Sequence, residues 1–260
     1  MLKAPFPYAG GKSWIAPDVW ARLGPDVPNY VEPCCGSAAM LLARHLPGHI
    51  ETLNDTDGFV MNAYRSIQAD PEATAHWCDW PVSEVCLHAR HAWLLTQRTT
   101  LTAKLEGDPH YYDAKIAGWW IWGACCWIGG GWCHGKGPWQ VHDGELRHLG
   151  NAGQGIHRQL PHLGNAGQGI HDYLCALADR LRAVRITCGD WQRVLGPSVT
   201  WRHGLTGVFL DPEYPPEEHD FGYSASTDAH LAERVRTWAL ENGDNPLLRI
   251  ALCGYATETY

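Results

Sequence analysis

The sequence predicts an α/β fold built on an open, mostly parallel β-sheet. Short apolar runs of strand length alternate with segments whose apolar residues recur at helical spacing. This alternation is typical of parallel strands joined by crossover helices. Acidic residues follow several of the predicted strands, and ligands of such sheets bind at the carboxyl ends of the strands. The 260 residues, of which 45% are hydrophobic and 18% are charged, are enough to bury a full core.

Two strand–helix units are predicted in the N-terminal part of the chain. The first strand, Tyr30–Val31, leads through a turn into a helix predicted over Ala38–Leu46. The second strand, Ile50–Leu53, ends at an Asn-Asp pair and is followed by a helix over about Phe59–Ile67. Both units have the strand-then-helix order of a parallel sheet.

The C-terminal part continues the same alternation. A helix predicted over Tyr173–Ala183 precedes a strand at Val184–Cys188. Two more strands are predicted at Gly207–Leu210 and Leu248–Cys253. Apolar residues at helical spacing mark a helix between these two strands, namely Leu231, Val235, Trp238 and Ala239. Residues 1–70 and 172–260 are therefore predicted to form one sheet domain.

The middle of the chain, residues 71–171, interrupts the alternation and is predicted to be an inserted, mostly helical and loop subdomain. Its charge-free stretch Ile116–Trp132 is shorter than the roughly 20 residues of a membrane span. We therefore expect a buried helix that runs into a glycine loop, and no membrane segment. The tryptophans of this stretch are expected in the core, and the alternative is a platform on which bases stack.

An internal repeat lies at the end of this region. The segment His148–His157 recurs identically as His162–His171. Two copies are too few for a solenoid. The repeat is interpreted either as a local duplication that enlarges a surface loop, or as two glycine loops whose backbone N–H groups contact phosphates.

The cysteines and the N-terminus bear on localisation and on metal binding. Residues 1–12 contain no apolar run of the kind found in a signal peptide, so a cytoplasmic protein with ten reduced cysteines is expected. One group of possible ligands consists of Cys125, Cys126, Cys133 and His134. Its spacing matches none of the usual structural zinc sites, so no metal is expected.

Two acidic segments at strand ends favour an adenosine-type cofactor. Glu32 ends the first predicted strand, and Gly36 and Ser37 open the following helix, whose free N–H groups suit a carboxylate. Asp55 ends the second strand about 20 residues later, a spacing at which a carboxylate commonly accepts hydrogen bonds from ribose hydroxyls. A Gly-x-Gly-x-x-Gly pattern is absent, which disfavours a dinucleotide.

The segment Asp211-Pro212-Glu213-Tyr214, directly after an apolar strand, indicates chemistry on an aromatic amine. Such a nitrogen is a poor nucleophile because its lone pair is delocalised into the ring. Two acceptors on its N–H groups, the Asp211 side chain and the Pro212 carbonyl, would take up the positive charge that develops as it attacks. The Tyr214 ring can stack on a base that has been flipped out of a duplex.

In the order of its motifs the sequence resembles the Dam-like, phage-type family of adenine-specific DNA methyltransferases. The resemblance covers nearly the whole chain, and five segments carry it: Tyr8–Lys12, Val31–Gly36, Asn54–Asp55, Gly189–Trp191 and Asp211–Tyr214. Two features differ from the family pattern. Glu213 replaces the second proline of the family tetrapeptide, and family members usually add further strands after the one that ends here at Cys253.

The resemblance implies a Rossmann-like methyltransferase fold, S-adenosyl-L-methionine as the cofactor and double-stranded DNA as the partner. It implies catalysis by Asp211, Pro212 and Tyr214, with residues 71–171 as the target-recognition region. The implied cofactor-binding residues are Tyr8, Gly10, Lys12, Glu32, Gly36, Ser37, Asp55, Asp190 and Trp191. Candidate phosphate contacts are Lys136, Arg147 and Arg158.

The charge of the chain keeps other functions open. Twenty basic and 28 acidic residues give a net charge of −8, whereas affinity for DNA depends on basic groups at the phosphates. One alternative is a methyltransferase fold that holds DNA or cofactor with little or no turnover because of Glu213. The other is an amino-group methyltransferase that acts on RNA, a nucleoside or another small molecule.

Overall fold

The computed structural model describes residues 2–8, 10–45, 47, 49–127, 132–133, 139–142, 145–148, 169–212 and 230–254. In these ranges the strands are β1 (Asn29–Glu32), β2 (Ile50–Asp55), β3 (Trp139–His142), β4 (Glu145–His148), β5 (Val184–Cys188), β6 (Thr206–Leu210) and β7 (Leu248–Leu252). The helices are α1 (Ala16–Leu23), α2 (Ala39–Ala43), α3 (Gly58–Ala69), α4 (Pro71–Cys78), α5 (Glu84–Gly107), α6 (Ala114–Cys126), α7 (Ile170–Leu181) and α8 (Leu231–Asn242).

Five of the strands form one sheet in the order β5-β2-β1-β6-β7, and every neighbouring pair is parallel. The predicted α/β fold with a parallel sheet is confirmed, and the architecture is consistent with a Rossmann-like fold. Because β2 lies on one side of β1 and β6 on the other, the direction in which strands are added reverses at β1. In open parallel sheets this reversal is the place where a crevice opens at the carboxyl ends of the strands.

Both faces of the sheet are covered by apolar clusters, and successive side chains of a strand point into opposite clusters. On β1, Tyr30 faces the larger apolar cluster, which includes residues of α1 to α7, whereas Val31 faces a smaller cluster. The smaller cluster contains Trp191, Val208 and Val235, so it packs α8 and a 3₁₀ helix against the other face. Strands buried on both sides are consistent with their near-continuous apolar sequences.

The predicted strands and helices of the sheet domain are present with small differences at their ends. Strand β5 has the predicted bounds, and β2 continues beyond the predicted end to Asp55. Helix α2 ends at Ala43 instead of Leu46, because the backbone of Arg44 is extended and its guanidinium group binds Glu51.

Residues 71–171 contain α4, α5, α6 and the antiparallel β3–β4 hairpin. The α6 tryptophans are mainly core residues, as predicted: Trp122 is fully buried, and the ring of Trp120 stacks on Phe59 of α3 at 6.3 Å. The glycine loop at 128–131 and most of the repeat lie outside the described residues. Gly169 and the residues that follow lead into α7.

The described residues bear on three further expectations, which concern the cysteines, a membrane segment and metal binding. All ten cysteines are free thiols. No described helix has the length and the apolar composition needed to cross a membrane. Nor does any group of three or more His, Cys, Asp or Glu side chains in the described ranges have an arrangement that could hold a metal. His134, part of the cysteine group considered above, lies outside those ranges.

A buried ionic network joins α2, β2 and α7. The Glu51 carboxylate, which is 3% exposed, lies 3.2 Å from Arg44 Nη1 and 2.7 Å from Arg180 Nη1. Arg180 Nη2 also donates to Glu51 Oε1 and to the Leu41 carbonyl, at 3.0 and 2.9 Å. Arg44 donates to the carbonyls of Pro25 and Val27. The network ties the amino-terminal half of β2 to the helices on one face of the sheet.

Candidate functional site

Four acidic side chains lie at or just beyond the carboxyl ends of neighbouring strands. Glu32 is the last residue of β1 and Asp55 the last of β2, while Asp190 and Asp211 follow β5 and β6. The strands β5, β2, β1 and β6 are adjacent in this order and parallel. The sequence-based expectation that these residues share one edge of the sheet is therefore confirmed.

Asn54 holds three of these strand ends together. Its Nδ2 donates to the carbonyls of Pro33, after β1, and Gly189, after β5, each at 2.9 Å. Its Oδ1 accepts a hydrogen bond from the Thr187 hydroxyl at 2.9 Å. Asn54 is fully buried. Because buried amides are costly unless they are paired, these bonds lock the loops after β1, β2 and β5 in one arrangement.

Asp55 shapes the turn between β1 and α2. Its Oδ2 accepts from the backbone N–H of Gly36 at 2.9 Å, and its Oδ1 accepts from that of Asp57 at 3.0 Å. Gly36 has φ +45°, in the left-handed region that favours glycine. Burial raises the pKa of Asp55 to about 6, and the backbone N–H groups of Asp57, Gly36 and Thr56 oppose that rise.

The N-terminal segment packs directly onto this turn. A Cβ added at Gly36 would lie 2.4 Å from Cε1 of Tyr8, so the tyrosine ring occupies the space that the glycine leaves open. Ser37 also lies near the N-terminal segment, since its Oγ is 3.7 Å from a Cβ built on Gly11. The structure thus brings together Tyr8, Gly36 and Ser37. The Tyr8 ring covers the Gly36 backbone, which was expected from the sequence to contact the ligand.

Lys12 contacts Asp211 in the described structure. Its Nζ lies 2.9 Å from Asp211 Oδ2 and donates to the Gly10 carbonyl at 2.9 Å. Gly10 has φ +74°, another conformation that favours glycine. Burial raises the pKa of Asp211, whereas the Lys12 ammonium and the Cys253 thiol lower it. Oδ1 of Asp211 is buried and has no hydrogen-bond partner within the described ranges.

Glu32 faces the helix that follows its strand. Its carboxyl group is 2% exposed, and Oε2 accepts from the Leu41 N–H of α2 at 3.0 Å. Burial raises the pKa of Glu32 to about 8; the Leu41 N–H and the Tyr30 hydroxyl oppose this rise, and the charge of Asp211 adds to it. The side chain that was expected at the cofactor thus binds the backbone of α2.

Glu32→Gln is expected to stabilise the protein at alkaline pH. Between pH 4.5, the ordinary pKa, and about 8, the folded protein keeps a proton that the unfolded chain has released. Stability therefore falls as pH rises through this window, and glutamine mimics the protonated form. In urea denaturation from pH 5 to 9, the free energy of unfolding of the variant should rise relative to that of wild type as pH increases, by a few kcal/mol at pH 9. A difference that is constant with pH would contradict the assignment.

The remaining predicted cofactor residues lie beside β5. Asp190 is exposed and accepts from the Gln192 N–H at 2.8 Å, which caps a 3₁₀ helix. The Trp191 ring is 2% exposed and packs in the smaller apolar cluster, so it faces the core in this structure. The loop stays close to Asp55 through a bond from the Gly189 N–H to the Asp55 carbonyl at 2.9 Å.

The described ranges end inside the predicted catalytic segment. Pro212 is buried and follows Asp211, whereas Glu213 and Tyr214 lie outside the described residues. Two of the candidate phosphate contacts, Lys136 and Arg158, also lie outside them. The backbone of Arg147 belongs to β4, opposite Gln140 of β3.

Cys253 is a site residue that sequence reasoning missed. It follows β7, its N–H donates to the Leu210 carbonyl at 2.8 Å, and its thiol lies beside Asp211. Burial and the neighbouring Asp211 raise the pKa of this thiol to about 12. A signal was present, since Cys253 is the last residue of the predicted strand Leu248–Cys253, at the same end of a strand as the acidic residues.

Comparison with protein-family models and with curated proteins finds no match for this chain. The functional argument therefore depends on the geometry of the site.

Proposed function

We propose that this protein transfers a methyl group from S-adenosyl-L-methionine to the N6 amino group of adenine in DNA. One observation carries the proposal: a partly buried aspartate followed by a buried proline stands at the carboxyl end of β6, beside β1, where the strand order reverses. This is the part of an open parallel sheet where ligands bind. The acidic residues of the adjacent strands β1 and β2 lie at the same edge.

In the proposed reaction Asp211 and Pro212 act on the adenine amino group. The Asp211 carboxylate accepts one N–H, and the Pro212 carbonyl accepts the other. Both acceptors favour the positive charge that develops on the nitrogen during attack. Asp211 is suited to this role because its side chain is only 18% exposed, so its charge is weakly screened.

The residues at this edge fit the proposed cofactor in two respects. Asp55 accepts backbone N–H groups at the end of β2, and because a carboxylate has about four acceptor positions it can also accept from a ribose hydroxyl group. Asp55, Asp190 and Asp211 place carboxylates at this edge, and carboxylates can attract the cationic sulfonium of the cofactor. When bound, the cofactor supplies an electrophilic methyl group.

A methyltransferase for a small amino substrate is the second candidate, because the net charge of −8 suits an uncharged or cationic substrate better than a polyanion. The two candidates differ in their response to salt. If DNA is the substrate, binding should weaken steeply with salt, with a log–log slope near −0.9 for each phosphate neutralised. A response that is flat with salt favours the small substrate.

The direct test is incubation of the protein with duplex DNA and methyl-labelled S-adenosyl-L-methionine, followed by digestion to nucleosides. We expect the label in N6-methyl-2′-deoxyadenosine, and about 10²–10³-fold slower labelling with the Asp211→Ala variant. Label in another nucleoside would exclude the adenine assignment. Absence of label from DNA of mixed sequence, with transfer to free nucleosides or amines, would favour the second candidate.

A further inference from the structure

The N-terminal turn presents an ammonium group to the proposed catalytic carboxylate. Lys12 Nζ is 2.9 Å from Asp211 Oδ2, and the Gly10 carbonyl holds the same nitrogen at 2.9 Å. The turn itself is closed by a bond from the Gly11 N–H to the Tyr8 carbonyl at 3.3 Å. The side chains of Lys12 and Asp211 are only 22% and 18% exposed, so the ion pair is shielded from solvent screening.

In the described part of the chain, the other ionisable groups around Asp211 do not supply a positive charge. Glu32 lies on β1, and its pKa responds to the charge of Asp211. Cys253, after β7, has a thiol whose pKa is raised to about 12. Among the described residues that affect the pKa of Asp211, Lys12 is the cation. Burial alone would favour a protonated Asp211, and a neutral carboxyl group stabilises a developing positive charge poorly.

We propose that Lys12 is a positioning residue that keeps Asp211 ionised and oriented toward the amino group of the substrate. This inference rests on the proposed function for its role in turnover. It assigns Lys12 to the catalytic aspartate, whereas the sequence resemblance assigned it to the cofactor. It also assigns a role to the glycine-rich turn, because the turn at Gly10 and Gly11 places Lys12 beside Asp211, which is distant in sequence.

The test compares wild type with Lys12→Met, which removes the charge, and Lys12→Arg, which keeps it. The first readout is the pH dependence of single-turnover methyl transfer to DNA, together with calorimetry of S-adenosyl-L-methionine binding. In Lys12→Met the acidic limb of the pH profile should move up by about 1–3 units, the usual effect of losing an adjacent opposite charge. Lys12→Arg should keep that limb near its wild-type position, and cofactor affinity should change less than about threefold in both variants. Tenfold weaker cofactor binding with an unmoved acidic limb would overturn the proposal.

A second readout does not need turnover. Titration of the ¹³C-labelled aspartate carboxyl groups by NMR, with Asp211→Asn to identify the Asp211 signal, gives its pKa directly. We expect a higher pKa for Asp211 in Lys12→Met than in wild type, and an unchanged value would overturn the proposal. If wild type methylates no substrate at any pH, the proposed function fails, and the carboxyl titration still decides whether Lys12 controls Asp211.

Discussion

Asp211→Ala is expected to reduce methyl transfer to DNA adenine by about 10²–10³-fold, the usual loss when one group that stabilises developing charge is removed. Asp211→Asn should lose a similar amount, because it keeps the shape and an acceptor oxygen but not the charge. The structure supports a dependence of the rate on the Asp211 charge, because Asp211 is shielded from solvent and pairs with Lys12 at 2.9 Å. The measurement is the single-turnover rate with labelled cofactor and duplex DNA.

The matched control for this experiment is Asp244→Asn. Asp244 is exposed in the loop before β7, so the change removes the same charge from the chain away from the site. Its rate should equal that of wild type. Calorimetry should show that the Asp211 variants still bind S-adenosyl-L-methionine, which separates a loss of chemistry from a loss of cofactor. An Asp211→Asn variant that transfers methyl groups at the wild-type rate would remove Asp211 from the mechanism.

Glu51→Gln is expected to lower the free energy of unfolding by about 3–5 kcal/mol, the usual cost of removing one partner from a buried ion pair. Glu51 accepts from two guanidinium groups, those of Arg44 and Arg180, whose side chains are 2% and 10% exposed. In the variant, the two buried guanidinium groups have no carboxylate at salt-bridge distance within the described ranges. Because a domain of this kind is stabilised by only about 5–15 kcal/mol, the shift should be large in urea denaturation at pH 7.

Glu233→Gln provides the comparison for Glu51. Glu233 is 75% exposed and lies 3.4 Å from the equally exposed His230, so its pairing is screened by water. We expect its denaturation midpoint to match that of wild type. If Glu51→Gln also unfolds at the wild-type midpoint, the network does not stabilise the fold, and the ends of α2 and β2 are held by packing alone.

Local patterns in the sequence were sufficient to predict the sheet. The apolar runs at β1, β2, β5, β6 and β7 have the length of strands, and segments with apolar residues at helical spacing lie between most of them. Strands connected through helices in this way pair in parallel. The long helix α5 was not predicted. Its buried residues, which include Leu87, His91 and Leu94, share the helix with many polar ones, so no clear apolar stripe marks it.

The sequence by itself determined that carboxylates stand at the ends of adjacent strands, because strand ends are set by local hydrophobicity and neighbouring parallel strands end at one edge. Only the tertiary structure decided what each carboxylate contacts. Glu32 faces the N–H groups of α2, Asp55 holds the Gly36 turn, and Asp211 meets Lys12. These partners depend on how the N-terminal segment and α2 pack on the sheet. Periodicity reports which face of an element is buried, but it does not identify the side chain from a distant part of the chain that meets it.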